Sequence, residues 1–242
     1  MISQMCYVGA GIGTNMAKQN AILTDLLLAA GAVLYCRTNV PTSLMRGETD
    51  NNVFGLTSNP SNLTLTSGGS SGGEGALIGM KGSPLGVGSD IGGSIRIPSA
   101  FNGLFGLKPS YNRMPYTNAM NSFLGQESIC SVLGPLSRST SGLRVFTKAV
   151  LDLKPHLYDP YVIEKSWDEA AYQLKNIGGG KKLCFAFIMD DGQSLSALRK
   201  DRPLLADNLS FTSLPAIPAT TPQVLPALSH LSFVDWRRPR RH

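Results

Sequence analysis

The sequence is poor in cysteine and histidine, and the spacing of these residues excludes most metal and disulfide architectures. Its 242 residues include four cysteines and three histidines. No Cys-x-x-Cys pair occurs and no histidine pair lies near a cysteine, which excludes a zinc site and a dense disulfide framework. Reduced thiols, no metal and a cytoplasmic location are therefore the default expectations. The cysteines are Cys6, Cys36, Cys130 and Cys184.

Long hydrophobic runs are also absent. The longest candidate, residues 29–36, is far shorter than the roughly 18 apolar residues that a membrane span needs. No basic region followed by an apolar stretch marks a signal peptide. Hydrophobic residues nevertheless make up 42% of the chain, which is typical of a globular protein with a sizeable core. We expect no membrane span.

Positive charge is concentrated near the C-terminus. The net charge is +6, and residues 193–242 contain seven Arg and Lys against three Asp, together with six prolines. The absence of sustained periodicity there predicts a poorly ordered tail, distinct from a domain formed by residues 1–192. The terminal WRRPRRH could contact acidic surfaces. No aromatic and basic recognition module accompanies it, so we expect no nucleic-acid partner.

Hydrophobic periodicity predicts strands that alternate with helices, and hence an α/β fold. Asn15 is the expected cap of the first helix. The predicted helices cover residues 15–31, 73–80 and 141–153. The predicted strands cover residues 32–36, 84–88, 104–107 and 182–189. Residues 46–67 are predicted to form a polar loop.

The most informative segment is GGSSGGEGALIGMKGSPLGVGSDIGGSIRIPSAF, residues 68–101, which contains two glycine-serine clusters. The first matches the Gly-x-Ser-x-Gly elbow of α/β-hydrolases, but that fold also needs an acid and a histidine later in the chain. A flexible linker is disfavoured because apolar residues interrupt the glycines. GAGIGT at residues 9–14 misplaces the third glycine of a dinucleotide fingerprint, and GMKG at residues 79–82 lacks the ending of a P-loop.

The second cluster is typical of a site for acyl transfer. A serine hydroxyl is a weak nucleophile unless a base accepts its proton. Glycines beside the serine let bare backbone N–H groups approach a developing oxyanion. Ser94, which follows Ile91, Gly92 and Gly93, has this form. Ser70 in the first cluster can pass a proton onward.

These segments resemble the amidase signature family, and most of all its branch of fungal amidases and fatty-acid amide hydrolases. The resemblance rests on GGSSGGEGALI and GSDIGGSIRIPSAFNGLFGLKPS. It extends upstream through GAVLYCRTNVP and NNVFGLTSNP and downstream through GPLSRS and KLCFAFIMDDG, and so covers residues 6–192. It implies an amidase-signature core, a mixed β-sheet flanked by helices that is incomplete at both ends in this chain, and no cofactor.

The resemblance also implies a Ser–cis-Ser–Lys mechanism for hydrolysing non-peptide carbon–nitrogen amide bonds. Ser94 matches the acylated nucleophile, and Ser70 matches the bridging serine, whose peptide bond is cis in the family. The oxyanion donors match the backbone N–H groups of Ile91, Gly92, Gly93 and Ser94. Three further residues either support the site by hydrogen bonding or make ordinary structural contacts: Ser71, Asp90 and Arg96.

The lysine of that triad has no counterpart in the sequence. The resemblance places it a few residues before Met1, and no lysine of the chain stands in the matching context. We expect little or no activity from the chain as written, because losing a triad member costs several orders of magnitude. The alternative is a non-catalytic amidase remnant, or an interaction protein that uses its basic tail. An active chain would take a small-molecule amide; which amide, and the oligomeric state, stay open.

Overall fold

The computed structural model describes residues 19–122 and 125–175 and the backbone of two further strands at residues 185–188 and 209–212. The chain divides into two compact units, of which the first contains the described residues up to Trp167. In chain order this unit contains α1 (Ile22–Ala29), β1 (Ser58–Asn59), β2 (Asn62–Thr66), α2 (Gly72–Gly79), β3 (Leu85–Asp90), α3 (Arg96–Phe101), β4 (Phe105–Gly106), β5 (Val132–Ser137) and α4 (Thr140–Asp152).

The second unit is described only in part. It contains the short helix α5 (Glu169–Tyr172), which begins where the Asp168 carboxylate accepts a hydrogen bond from Ala171 N–H at 2.9 Å. It also contains the antiparallel pair β6 (Phe185–Ile188) and β7 (Leu209–Thr212). The strand β6 lies inside the segment 182–189 that the sequence predicts as a strand.

Three antiparallel strands form a sheet in the order β3, β5, β4, and the second glycine-serine cluster follows β3. β3 and β5 pair along their full length, from Leu85 opposite Ser137 to Asp90 opposite Val132. Every residue of the central strand β5 is buried. This includes Pro135, whose carbonyl accepts a hydrogen bond from Leu107 N–H at 3.0 Å.

Helices cover both faces of this sheet. Leu133 belongs to the apolar cluster formed with α1 and α4, in which Phe146 of α4 is 1% exposed. Leu136 packs instead with Ile78 of α2 and with Ile95, just before α3. Because side chains alternate along a strand, Leu133 and Leu136 serve opposite faces. Burial of each such side chain stabilises the fold by roughly 1.5–3 kcal/mol.

Several predicted elements match the structure closely. The helices predicted at residues 73–80 and 141–153 correspond to α2 and α4, and the strands predicted at 84–88 and 104–107 correspond to β3 and β4. Ser139 caps α4 by accepting a hydrogen bond from Gly142 N–H at 3.1 Å. No helix in the described ranges is long and apolar enough to cross a membrane.

Other predictions are wrong. Residues 32–36 form no strand, and Val33 and Tyr35 in this apolar run are 81% and 59% exposed. The segment 46–67 is not only a loop, since it contains the antiparallel pair β1 and β2. The first helix begins at Ile22 rather than near residue 15, and Asn15 itself lies outside the described residues.

Candidate active site

The Ser94 loop connects the end of β3 to the start of α3 and is organised around Asp90. The Asp90 side chain is fully buried, and its carboxylate accepts hydrogen bonds from the N–H groups of Gly93 (2.7 Å), Ile95 (3.2 Å) and Arg96 (3.4 Å). A helix start leaves such N–H groups without intrahelical partners. One carboxylate therefore folds the turn on which Ser94 stands.

Arg96 neutralises this buried carboxylate. Its Nε and one terminal nitrogen each donate to a different Asp90 oxygen at 3.0 Å, a bidentate pair. The hydrogen bond to Asp90 raises the pKa of Arg96 above its ordinary value. Asp90 and Arg96, predicted to support the site or to be ordinary contacts, thus both act on the Ser94 loop.

The backbone before Ser94 offers donors that point to no protein acceptor. Gly93 has a φ of +140°, and a Cβ there would lie 2.8 Å from Ile97 Cδ1, so the turn requires glycine. Its N–H is occupied by Asp90. Within the described residues, the N–H groups of Gly92 and Ser94 have no acceptor. They are free donors within the predicted oxyanion segment, which also includes half-buried Ile91.

Ser70 lies in the loop between β2 and α2. The residue is 2% exposed, and the peptide bond that joins it to Gly69 is cis, the isomer that the resemblance implies for the bridging serine. A Cβ at Gly69 would approach Glu48 backbone atoms to within 2.8 Å. The chain around residue 48 therefore forms one wall of the Ser70 loop.

Ser71 fastens the two glycine-serine clusters together. Its N–H donates to the Ser94 carbonyl at 3.2 Å. Its hydroxyl accepts from Ser89 N–H at 3.3 Å and lies 3.5 Å from the Ser89 carbonyl, which ties the loop to β3. A Cβ at Gly88 would lie 2.7 Å from the Ser71 oxygen, so glycine is needed for this approach.

The structure brings all eight predicted site residues to one end of β3. In the part of the chain that is described, the Ser70 and Ser94 hydroxyls make no hydrogen bond to each other, and no basic side chain hydrogen-bonds to Ser70. The two serines are connected through backbone rather than through their hydroxyls. The eight residues are Ser70, Ser71, Asp90, Ile91, Gly92, Gly93, Ser94 and Arg96.

Two residues in contact with this framework are not identified by the sequence analysis. Thr49, which is fully buried, hydrogen-bonds to the Ser70 loop from a segment predicted to be a plain polar loop. Glu74 on α2 accepts from the Thr38 hydroxyl at 2.7 Å and from Val87 N–H on β3 at 3.1 Å. Burial raises the pKa of Glu74, partly offset by these two hydrogen bonds. Glu74 lies in GGSSGGEGALI, one of the segments on which the family resemblance rests, whereas Thr49 lies in no quoted segment.

Known proteins show what this arrangement is similar to. A family model described as Amidase matches residues 8–233. The chain is 52% identical over 176 residues to an acetamidase of Aspergillus oryzae, a match that covers 72% of this chain and 32% of the relative. It is 51% identical over 164 residues to an acetamidase of Emericella nidulans, covering 66% of this chain and 30% of the relative. The chain thus spans about a third of the length of these curated relatives.

Solved structures of similar fold are also amide-hydrolysing proteins by their names. The structure is similar to a fatty acid amide hydrolase with a TM-score of 0.63 and 44% identity, over 64% of this chain and 27% of the other. A bacterial aryl acylamidase of the amidase signature family gives a TM-score of 0.56 and 30% identity, over 66% of this chain and 32% of the other. These similarities confirm the α/β amidase-signature fold, present here in part. The chain belongs to the amidase family.

Proposed function

We propose that this chain carries the acyl-transfer site of a hydrolase that cleaves non-peptide carbon–nitrogen amide bonds in small molecules. Ser94 is the residue that is acylated, and Ser70 is the proton relay. The observation that carries the proposal is the Ser94 loop itself. Buried Asp90, paired with half-buried Arg96, holds a serine beside two backbone N–H groups, those of Gly92 and Ser94, that have no acceptor among the described residues.

The chemistry follows from these positions. The Ser94 oxygen attacks the amide carbonyl carbon, and its proton passes through the Ser70 hydroxyl to a base. The carbonyl oxygen becomes an oxyanion, which accepts hydrogen bonds from the free N–H groups of the loop. The base returns the proton to the nitrogen as the C–N bond breaks, so that the nitrogen leaves as a neutral amine or ammonia, and water then hydrolyses the Ser94 ester to release the acid.

The names of relatives support the substrate class but not one substrate. Acetamidases and an aryl acylamidase act, by their names, on small amides, and a fatty acid amide hydrolase acts on lipid amides. All share the carbon–nitrogen bond of an amide. We therefore propose that class for the site around Ser94, with neither a metal nor a cofactor taking part.

The proposed mechanism needs a base that accepts the Ser94 proton from Ser70. The resemblance assigns it to a lysine, and no lysine of this chain stands in the matching context. We propose that Ser94 reacts slowly in the chain as written, through the oxyanion donors alone. Such residual catalysis is typically about 10³–10⁴-fold over water in serine hydrolases that lack a triad member.

A fluorophosphonate probe tests this proposal. The full chain is labelled from pH 6 to pH 10, the modified residue is mapped by peptide mass spectrometry, and Ser94→Ala is compared with the matched control Ser110→Ala, an exposed serine. We expect slow labelling at Ser94 alone, lost in Ser94→Ala and kept in Ser110→Ala. The rate should rise with hydroxide concentration without a plateau, because the proposal assigns no side chain of this chain as the base.

Two results would contradict the proposal. Absence of Ser94 labelling in a chain shown to be folded by circular dichroism would support the non-catalytic alternative. Rapid labelling with a plateau above neutral pH would show that another group supplies the base, so that the expected inactivity is wrong.

A further inference from the structure

Thr49 lies beneath the Ser70 loop, and its hydroxyl joins the two ends of that loop. The residue is fully buried. Its Oγ1 donates to the Gly68 carbonyl at 2.9 Å, with the Ser70 carbonyl farther away at 3.4 Å. The same oxygen accepts from Gly72 N–H at 3.0 Å. One hydroxyl thus connects the residues that precede and follow Ser70 and Ser71.

The Gly72 hydrogen bond satisfies the first N–H of α2. Gly72 is the first residue of α2, and helix starts leave their N–H groups without intrahelical partners. The residue before it, Ser71, makes no side-chain cap to the next residues of the helix, because its hydroxyl is bound to Ser89 of β3. Thr49 supplies an acceptor for the first N–H of α2, that of Gly72, from a distant part of the sequence.

The position of Thr49 is itself fixed by backbone hydrogen bonds. Thr57 N–H donates to the Thr49 carbonyl at 2.8 Å, and Ser67 N–H donates to the Thr57 carbonyl at 3.1 Å. The fit is tight on the loop side as well. A Cβ at Gly72 would lie 2.3 Å from Thr49 Oγ1 and 2.6 Å from Ser67 Oγ. There is no room for the loop to approach Thr49 with a larger residue at position 72.

We propose that Thr49 is a positioning residue for the serine site, which holds the Ser70 loop in register with Ser94. Its effect passes through Ser71, whose N–H donates to the Ser94 carbonyl. The inference rests on the proposed function, because it gives the loop a role in acyl transfer. The inference assigns a role to Thr49, which lies outside the glycine-serine segment and belongs to none of the motifs identified in the sequence.

Thr49→Val tests the hydroxyl alone, because valine keeps the shape of threonine without the oxygen. Thr49→Ser restores the hydroxyl, and Thr24→Val is the matched control, since Thr24 on α1 is 2% exposed and lies in another part of the fold. Two readouts are taken on the full chain. One is amide hydrogen exchange at Gly72 and Ser71 by NMR, and the other is the rate of Ser94 labelling by a fluorophosphonate.

The expected result for Thr49→Val is faster exchange at Gly72, by about tenfold or more, since the hydrogen bond that protects this N–H is lost. Ser94 labelling should fall by about 10²-fold, the scale expected when a reacting group moves by about 1 Å. Thr49→Ser should restore most of both values. Thr24→Val should alter neither readout, whatever it does to thermal stability.

The two readouts separate failure of this inference from failure of the proposed function. Unchanged exchange at Gly72 in Thr49→Val would overturn the contact. Faster exchange with unchanged Ser94 labelling would overturn the positioning role and leave a purely structural one. If the unmodified chain shows no Ser94 labelling, the proposed function fails and the role in acyl transfer fails with it, while exchange at Gly72 and Ser71 still decides whether Thr49 holds the loop.

Discussion

Two fully buried carboxylates, those of Asp90 and Asp159, each accept hydrogen bonds from three backbone N–H groups in different regions of the protein. They differ in their charged partners. Asp90 accepts from three N–H groups around Ser94 and is also paired with Arg96. Asp159 accepts from the N–H groups of Tyr116 and Thr117 at 2.9 Å and of Tyr161 at 3.1 Å.

The Asp159 region supports the apolar core rather than the site. The Thr117 carbonyl accepts from Ile22 N–H at 3.2 Å, so the segment held by Asp159 fixes the start of α1. Helix α1 belongs to the cluster that includes Phe146 and Leu133. The two carboxylates thus accept the same kind of hydrogen bond from backbone N–H groups. Asp90 stabilises the Ser94 loop, and Asp159 stabilises the segment that packs against α1.

The largest effect is expected from Asp90→Ala. This change removes a charged acceptor from three buried or half-buried N–H groups and from the Arg96 side chain, which costs about 3 kcal/mol of the free energy of unfolding. The Ser94 turn also loses its template, so Ser94 labelling should disappear. Urea denaturation and fluorophosphonate labelling measure the two effects. Labelling at the unmodified rate in folded Asp90→Ala would contradict the role given to this carboxylate.

A smaller effect is expected from Asp159→Ala. Three N–H groups lose a charged acceptor but, among the described residues, no cation loses an ion pair, so we expect a loss of about 2 kcal/mol in urea denaturation. The rate of Ser94 labelling per folded molecule should not change, because the hydrogen bonds of Asp159 within the described residues go to Tyr116, Thr117 and Tyr161 and not to the site. Loss of labelling in this variant would erase the distinction between the two regions.

The smallest effect is expected from Glu74→Gln, and it depends on pH. Burial raises the pKa of Glu74 above its ordinary value of 4.5, so ionisation costs more in the folded state than in the unfolded state. That cost is absent below pH 4.5 and grows as the pH rises through the folded-state pKa. The unmodified chain should therefore lose stability, relative to Glu74→Gln, between pH 4.5 and neutral pH.

Glutamine suits this test because it keeps an oxygen for Val87 N–H and gains a donor for the Thr38 hydroxyl. Thermal unfolding of both chains across that pH range measures the difference. A gap between the two chains that stays constant with pH, or one that favours the unmodified chain at higher pH, would show that burial does not control the Glu74 carboxyl.

The resemblance to the amidase signature family predicts Ser70, Asp90 and Ser94 as residues of one site, and the structure places them near the end of β3. Local sequence suffices here because Asp90 and the N–H groups that it binds lie within six residues of one another. Thr49 lies 19 to 23 residues before the residues Gly68 and Gly72 to which it hydrogen-bonds, and no local pattern reports such a contact.

Elements that depend on tertiary context are the ones that the sequence misses. The central strand β5 reads VLGPLS, and a Gly-Pro pair argues against a strand in the middle of a sheet. The structure accommodates Pro135 because its carbonyl still bonds to Leu107. At residues 32–36 the error is reversed: the sequence predicts a buried strand, but within the described residues this segment pairs with no strand and is mostly exposed.

The most direct test of the account is acylation of the chain by an activated ester. The full chain is incubated with p-nitrophenyl acetate, and the site of acetylation is mapped by peptide mass spectrometry. We predict one acetyl group, on Ser94, that is absent in Ser94→Ala. Acetylation of other residues only, or none in a chain shown to be folded, would contradict the claim that Ser94 is the acyl acceptor.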